Sequence, residues 1–347
     1  MTCPASSDRG TAPAHLRAPA RIAVIVPAYG VAHLLGEALT SLQAQTMADW
    51  ECVVIDDGAP DDVASAVAPF LSDPRIRFLQ TRNRGVSAAR NAAIRASAAP
   101  LVALLDGDDR FRPSYLETMA STLEGDPAVR LATCNALIFG AVARERTCVE
   151  SKQGNSDGVR GSLADVLDRS FNVYIGTTFR RADFDAIGGF DETMAQSEDL
   201  DFWVRLMLLG GHAHYVDEVL GEYRVRPGSA SGNAVRMLLG NIKVYDKALD
   251  VLAERPEAEV ARRVREANRK TLAFEYAVDR IIEGDTRKGI AALRAARGSE
   301  GGPVWALAML SWRIFPWLAA PMLAWRRRAH SRGAQAPGLL SALTGLG

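Results

Sequence analysis

Three aspartates crowd one short stretch of the chain, Leu104-Leu105-Asp106-Gly107-Asp108-Asp109. Carboxylates this close repel one another and cost stability unless something neutralises them. A hard divalent cation, Mg2+ or Mn2+, would do so with one or two of them and keep coordination positions for diphosphate oxygens and water. It would then stabilise the charge developing on a departing diphosphate. A solvated turn whose aspartates cap the next helix accounts for the same residues, and D-x-D alone does not separate the two. A second acidic pair, Glu198-Asp199, heads an amphipathic stretch, where one carboxylate could take the proton of an attacking hydroxyl. Ser197, Glu198 and Asp199 are equally a helix N-terminus signal. The two roles are compatible, because a helix N-terminus keeps a carboxylate ionised. A third group, Asp56-Asp57-Gly58, reads either as an Asx-turn or as a carboxylate offered to a ligand N–H.

The residues around these groups alternate in period. IAVIVP (22–27), ECVVID (51–56), RIRFLQ (75–80) and PLVALLD (100–106) are short apolar runs, while 31–45, 61–71 and 86–98 have helical spacing. This alternation predicts an α/β fold with a mostly parallel central sheet and helices on both faces. Polar residues gather after the strands, at 27–30, 56–58 and 106–109. In open α/β sheets the ligand site lies there, outside the carboxyl ends. RPSYLETMASTLE (112–124) predicts a helix opened by Pro113 near its first turn. Residues 128–150 predict two further strands, and 151–161 (SKQGNSDGVRG) a mobile loop over the site. DLDFWVRLMLLG (199–210) predicts a helix ended by Gly210-Gly211, and HAHYVDEVLGEYRV another strand. After PGSASG (227–232) the chain reads as helical to about residue 298. PVWALAMLSWRIFPWLAAPMLAW (303–325) is long enough to reach across a bilayer. Arg313 and three prolines make an interfacial, re-entrant or packed segment an equal reading. The expected organisation is a disordered leader (1–20), an α/β domain (21–232), a helical extension (233–300), and an apolar segment with basic flank and flexible tail (301–347). Residues 303–328 are the candidate for peripheral membrane contact.

Lys plus Arg number 41, as do Asp plus Glu, so net charge names no partner and nucleic-acid binding gets no support. Cys3, Cys52, Cys134 and Cys148 show no C-x-x-C pair or zinc spacing, Cys52 reads as a core residue, and a reducing compartment is expected. The first twenty residues lack a continuous apolar run and make a poor signal peptide, so the expected location is cytoplasmic, peripheral at the membrane's cytoplasmic face. G-x-G-x-x-G is missing from 27–36 and no P-loop occurs, which excludes nicotinamide dehydrogenases and P-loop NTPases. PAYGVAHLLGE also lacks the Gly-rich loop with Arg and Lys that a sugar-1-phosphate nucleotidyltransferase would want.

The ordered motifs from about Arg21 to about Ser231 resemble the family 2 (GT2) glycosyltransferases. IAVIVPAYG resembles the family's opening strand and Pro-x-Tyr-Asn turn, and VVIDDGAPDD its Asp-Asp-Gly-Ser loop. NRGVSAARNAAI (83–94) resembles its Asn-x-Gly-x-x-x-Ala-Arg-Asn segment, and ALLDGDD its metal loop. GGFDE (188–192) with SEDLDFWVRL (197–206) resembles its acceptor-side segment. The resemblance implies a GT-A-like nucleotide-sugar-binding fold. It implies inverting transfer of a sugar from a nucleotide-diphosphate donor, a UDP-sugar first, to a glycan or lipid-linked acceptor in cell-surface glycan or polysaccharide biosynthesis. The turn Pro27-Ala28-Tyr29 and Asp57 would hold the nucleoside, Tyr29 by stacking and Asp57 by accepting from a base N–H. Asp56 is left with the turn. Arg90 would contact uridine or diphosphate, or buttress the acidic loops. Gly85 would permit close backbone approach at that helix's entrance. Asp106 would reach the ribose or an Mn2+ or Mg2+ ion, Asp108 would ligate the ion, and Asp109 would be a weaker ligand that orients its neighbours. Asp199 would be the general base, with Glu198 orienting the acceptor. Trp203 and Phe190, close by, read as core before acceptor pocket. Two departures stand out. Gly30 replaces a frequent Asn, and Arg226 stands where many relatives carry a His able to ligate the metal. Arg cannot bind a cation that way, so Arg226 would contact the diphosphate directly. Nothing marks His212 or His214 as a replacement ligand. The competing class is a catalytically weak glycan-binding or scaffolding relative, favoured by Arg226 alone and opposed by the intact DGDD and Glu-Asp motifs.

Overall fold

The computed structural model describes residues 20–150, 158–174, 176–226, 233–297 and 303–331. The leader, most of the loop at 151–161, the PGSASG link and the tail beyond 331 lie outside the described residues. From Ile22 the chain runs β1 (Ile22–Ala28), α1 (Ala32–Gln43), β2 (Trp50–Asp56), α2 (Val63–Val67), β3 (Ile76–Gln80), α3 (Val86–Ala96) and β4 (Leu101–Leu104), the predicted alternation. β5 (Arg110–Phe111), α4 (Tyr115–Gly125), β6 (Val129–Gly140) and β7 (Arg146–Thr147) follow. Pro113 does not open α4: Ser114 is the N-cap, and the Pro113 carbonyl accepts from the Thr46 N–H (2.8 Å). Of the two strands expected in 128–150, the second is only two residues long. Then come β8 (Arg160–Gly161), α5 (Leu163–Asp168), β9 (Thr178–Arg180), α6 (Arg181–Ala186), α7 (Glu198–Met207) and β10 (His212–Val225). α7 stops short of the glycines, which turn the chain back into β10.

Among the described residues these strands form one sheet in the order β3-β2-β1-β4-β9-β6-β10-β5, with β7 beside β6 and β8 beside β10. The pairs β1–β2, β2–β3, β1–β4 and β6–β10 are parallel. β9 runs antiparallel between β4 and β6 and joins the two parallel groups. Six of the seven β1 residues are buried, as a strand covered on both faces requires. On one face pack α1, α2 and α4, through Leu35, Leu39, Val63, Leu116 and Met119. On the other pack α3, α5 and α7, through Ile94, Leu167, Phe202 and Trp203.

α8 (Ala234–Leu252), α9 (Glu257–Ile282) and α10 (Thr286–Arg297) form the helical extension, followed by α11 (Pro303–Ile314) and α12 (Ala319–Ser331). Val244, Tyr245, Ala248 and Leu252 of α8, with Ala258 and Ala261 of α9, continue the core that covers the sheet. Phe274, Val278 and Ile281 of the same α9 build a separate core with the last three helices. Secondary structure changes at 232, but the core divides only within α9. The apolar segment 303–325 is broken at Phe315 and the 3-10 turn Pro316–Leu318. No helix among the described residues is long and apolar enough to cross a membrane.

α8 presses against the loop that leads into α7. A Cβ on Gly240 would lie 2.8 Å from the Gln196 carbonyl oxygen and 2.8 Å from Ser197 Oγ. Gly→Ala within a helix ordinarily stabilises by about 0.5–1 kcal/mol. Contact with backbone reverses the sign here. Gly240→Ala is expected to lower unfolding free energy by about 1–3 kcal/mol in urea titration; a gain would show that α8 can withdraw freely.

Candidate active site

Three parallel strands end side by side. Ala28 pairs with Asp56 and Ile25 with Leu104, and the Leu105 N–H donates to the Ile25 carbonyl (3.0 Å). The turns that follow therefore share one end of the sheet. Pro27 falls where β4 has turned away, so its missing N–H interrupts no ladder. Gly107 lets the acidic loop close on this turn: a Cβ there would lie 2.9 Å from Val31 Cγ2 and 3.2 Å from the Pro27 carbonyl oxygen. Ala28 is buried in the strand end and Tyr29 is 53% exposed, its ring open to stacking. Gly30 has φ +69°, a left-handed conformation that Asn also tolerates, so the departure from the family's Asn costs little. Asp61, unassigned from sequence, holds the turn: its oxygens accept from the Gly30 N–H (2.9 Å) and the Ala32 N–H (2.7 Å).

Both aspartates after β2 are buried. Asp56 accepts from the Ala59 N–H (2.7 Å) and Gln80 Nε2 (2.9 Å), and so shapes its turn. Asp57 accepts from the backbone N–H of Arg84 (3.0 Å) and of Gly85 (2.9 Å), tying the β2 turn to the entrance of α3. Gly85 is fixed by its backbone conformation. Nothing lies within 4 Å of where its Cβ would be, and its φ of +89° is what selects glycine.

α3 carries the junction of the site. Arg90 is 3% exposed; its Nη1 donates to Glu198 Oε1 (2.9 Å) and its Nη2 to Asp106 Oδ1 (3.0 Å). Burial works against the Arg90 charge, but Asp106, Glu198 and Asp199 outweigh it and raise its pKa. Of the two expected roles, buttressing the acidic segments is the one its hydrogen bonds serve. Its buried Nε has no partner among the described residues. Asn91 is also buried. It donates to the Phe190 carbonyl (2.9 Å) and accepts from the Phe190 N–H (2.8 Å), clamping the 188–192 turn. Sequence gave Asn91 no role beyond its place in a motif.

The carboxylates of Asp106, Asp108 and Asp109 each offer an oxygen within 4.8 Å of the others. Asp109 Oδ1 accepts from the Arg224 N–H (2.8 Å), while its buried Oδ2 has no partner among the described residues. Burial, then the Asp106 charge, pushes the Asp109 carboxyl well above its usual range. Asp108 is raised by the same two causes, against which Arg226 works. An orphaned carboxylate oxygen among like charges fits a hard divalent cation. Arg226 is the discordant member: its Nε donates to Asp108 Oδ2 (2.5 Å). Arg224 fixes this end of β10 by donating to the Asp108 carbonyl (2.9 Å) and to Glu37 (2.6 Å). His212 and His214 lie at the opposite, starting end of β10.

Glu198 and Asp199 open α7. Burial raises the Glu198 carboxyl and Arg90 opposes the shift. Asp199 Oδ1 accepts from its neighbour's N–H at Leu200 (2.7 Å). Asp199 also lines a cavity of about 60 Å³ with Arg169, Phe171, Leu200, Trp203 and Met237. Trp203 is buried against Phe179 and Phe202, so it serves the core and shows one edge to the cavity. Phe190 stacks on Phe202 (4.0 Å) and is core. Ser197, just ahead of the acidic pair, has a left-handed φ of 58° and donates to Asn241 Oδ1 (2.7 Å).

Known proteins resemble this arrangement. The family model "Glycosyl transferase family 2" matches residues 23–188. The succinoglycan biosynthesis protein ExoU of Rhizobium meliloti is 31% identical over 249 residues, 67% of this chain and 70% of that protein. The chain belongs to glycosyltransferase family 2. It covers only 29% of an uncharacterized glycosyltransferase of Rickettsia bellii, to which it is 26% identical over 60% of its own length. The mannosyltransferase PcManGT of Pyrobaculum calidifontis, solved with GDP-Man and Mn2+, superposes with a TM-score of 0.60 at 20% identity, over 95% of this chain and 88% of that one. TarS 1-349 of S. aureus, solved with UDP-GlcNAc, gives 0.58 at 17% identity, over 90% and 92%. The shared architecture is the GT-A fold of this glycosyltransferase family with helices appended at the C-terminal end.

Removing the buried Arg90 leaves the half-buried Asp106 and Glu198 carboxylates without their partner. Arg90→Met in this family 2 chain is expected to cost about 3–5 kcal/mol of stability in denaturant unfolding. Glu198→Gln added to Arg90→Met should recover part of that loss. A single variant as stable as the parent would refute the buttressing role.

Proposed function

We propose that the chain transfers a sugar from a nucleotide-diphosphate donor, a UDP-sugar, to a hydroxyl of a glycan or lipid-linked acceptor, with inversion at the anomeric carbon. The observation that carries this reading is the triad Asp106–Arg90–Glu198, which ties the acidic loop at the strand ends to the helix bearing Asp199. Tyr29 gives the base a face, and Asp57 keeps lone pairs for a base N–H. Asp106, Asp108 and Asp109 would hold Mn2+ or Mg2+, whose positive charge favours departure of the diphosphate. Arg226 would meet the diphosphate from the other side of the loop. Asp199 takes the proton of the acceptor hydroxyl as its oxygen attacks the anomeric carbon. The new carbon–oxygen bond forms opposite the breaking bond to diphosphate, so one displacement inverts the centre without a covalent intermediate. Glu198, engaged by Arg90, orients the acceptor indirectly by fixing the start of α7. Relatives named for succinoglycan biosynthesis, GDP-Man and UDP-GlcNAc support polysaccharide assembly and a nucleotide-sugar donor. The proposed place of work is the cytoplasmic face of a membrane.

One observation favours a catalytically weak, glycan-binding relative: the Arg226–Asp108 ion pair stands where a metal ligand would be useful. Two measurements decide between the readings. Asp199→Asn should lower sugar transfer by about 10²–10⁴-fold while leaving nucleotide binding in calorimetry unchanged, and proton NMR of the native enzyme's product should show the inverted anomer. Equal transfer by parent and variant would remove Asp199 as the base. Arg226→His should tighten Mn2+ binding by about fivefold, the equivalent of about 1 kcal/mol for a partly exposed ion pair. Electron paramagnetic resonance of free Mn2+ reads this without turnover.

A further inference from the structure

We infer that α11, the corner after it and α12 form a docking surface for an anionic lipid bilayer, lying on the membrane rather than crossing it. The inference stands on the C-terminal surface alone and does not depend on the transferase reading. α11 is apolar on two opposite sides. Trp305, Ala308, Met309 and Trp312 recur at helical spacing and are buried against the second half of α9 and α10. Leu307, Leu310 and Ile314 recur at the same spacing on the other side and are exposed, Leu307 by 67%. Phe315 and Trp317 at the corner are also exposed, Trp317 by 69%, as are Met322 and Trp325 on α12. Of the fifteen large apolar side chains exposed among the described residues, seven lie between Leu307 and Trp325, so the patch is a cluster and not scatter. A helix apolar on two opposite sides requires cover on both.

Charge and length select the cover. From residue 301 to the end the sequence has five arginines (Arg313, Arg326, Arg327, Arg328 and Arg332) and no Asp or Glu, although the whole chain is balanced at zero. Exposed Trp and Phe beside a basic cluster match the interfacial zone of an anionic membrane. α11 and α12 have 12 and 13 residues and are interrupted by Pro316, too short to span a bilayer and long enough to lie in its interface.

The test is co-sedimentation of the full-length protein with phosphatidylcholine vesicles, with and without phosphatidylglycerol, read also by tryptophan emission. Binding and a blue shift are expected only with the anionic lipid. The triple variant Leu307→Ser/Leu310→Ser/Trp317→Ser should bind at least about fivefold more weakly. Its unfolding midpoint should be unchanged, because all three side chains are exposed. Val251→Ser, which alters an equally exposed apolar residue on α8, should bind like the parent. Absence of binding to anionic vesicles, equal binding by the triple variant, or a concentration-dependent dimer abolished by that variant would each overturn the inference.

Discussion

Arg90 is buried, and a buried guanidinium is costly, by several kcal/mol of lost hydration. It is tolerated because two carboxylates reach it from segments far apart in the chain, Asp106 from the acidic loop and Glu198 from the start of α7. The same bonds that neutralise the arginine fix the spacing between those segments. The acidic loop and Asp199 therefore cannot move independently without exposing or orphaning a charge. Asn91, the next residue, repeats the arrangement with neutral groups by clamping both backbone groups of Phe190. One turn of α3 thus indexes the acidic loop, the 188–192 turn and the helix that bears the candidate base.

The helical extension supports this from behind. Ser197 is held in a left-handed conformation that costs a non-glycine residue about 1–3 kcal/mol unless its surroundings enforce it. α8 does so, through Asn241 on the Ser197 hydroxyl and through the bare backbone at Gly240. Lys247 adds an ion pair to Asp191 (2.6 Å) and another to Asp201 (2.5 Å), binding α8 to both the 188–192 turn and α7. The extension is thus structurally part of the site, which is why the core runs past residue 232 without a break.

What was legible in the sequence follows from how local each signal is. β1, β2 and β4 show as apolar runs because both faces are buried, and α7 shows because one of its faces packs on the sheet. β9 did not show: three residues hold too little pattern, and its place is set by β4, β6 and by Arg180, whose guanidinium caps the Leu123, Val129 and Asp126 carbonyls. The acidic clusters were visible as chemistry, but the roles of Asp61, Asn91 and Ser197 were not. Asp61 and Asn91 act on backbone, and Ser197 on the Asn241 side chain, brought near by strand register or helix packing, and no spacing along the chain encodes that. The segment 303–325 has the length of a membrane span, yet Pro316 divides it into two short helices, and the local break overrides the total length.

Arg226 bears on how such a site can work with a cation built into its own wall. The Arg226 guanidinium meets Asp108 and offsets part of the repulsion among three aspartates, while Asp109 Oδ2 has no partner among the described residues. Asp106 and Asp108 each meet an arginine guanidinium, Asp109 meets none among the described residues, and that carboxylate is what a divalent ion would neutralise. A diphosphate would offer Arg226 a second anionic partner, with geometry better suited to a planar fork than one carboxylate oxygen. On the proposed reading, Arg226 would serve the diphosphate and Asp108 would be one of the residues holding the ion. The ion pair with Asp108 and a contact with diphosphate would then be two uses of one cation, and an arginine in place of a histidine would couple metal binding to donor binding.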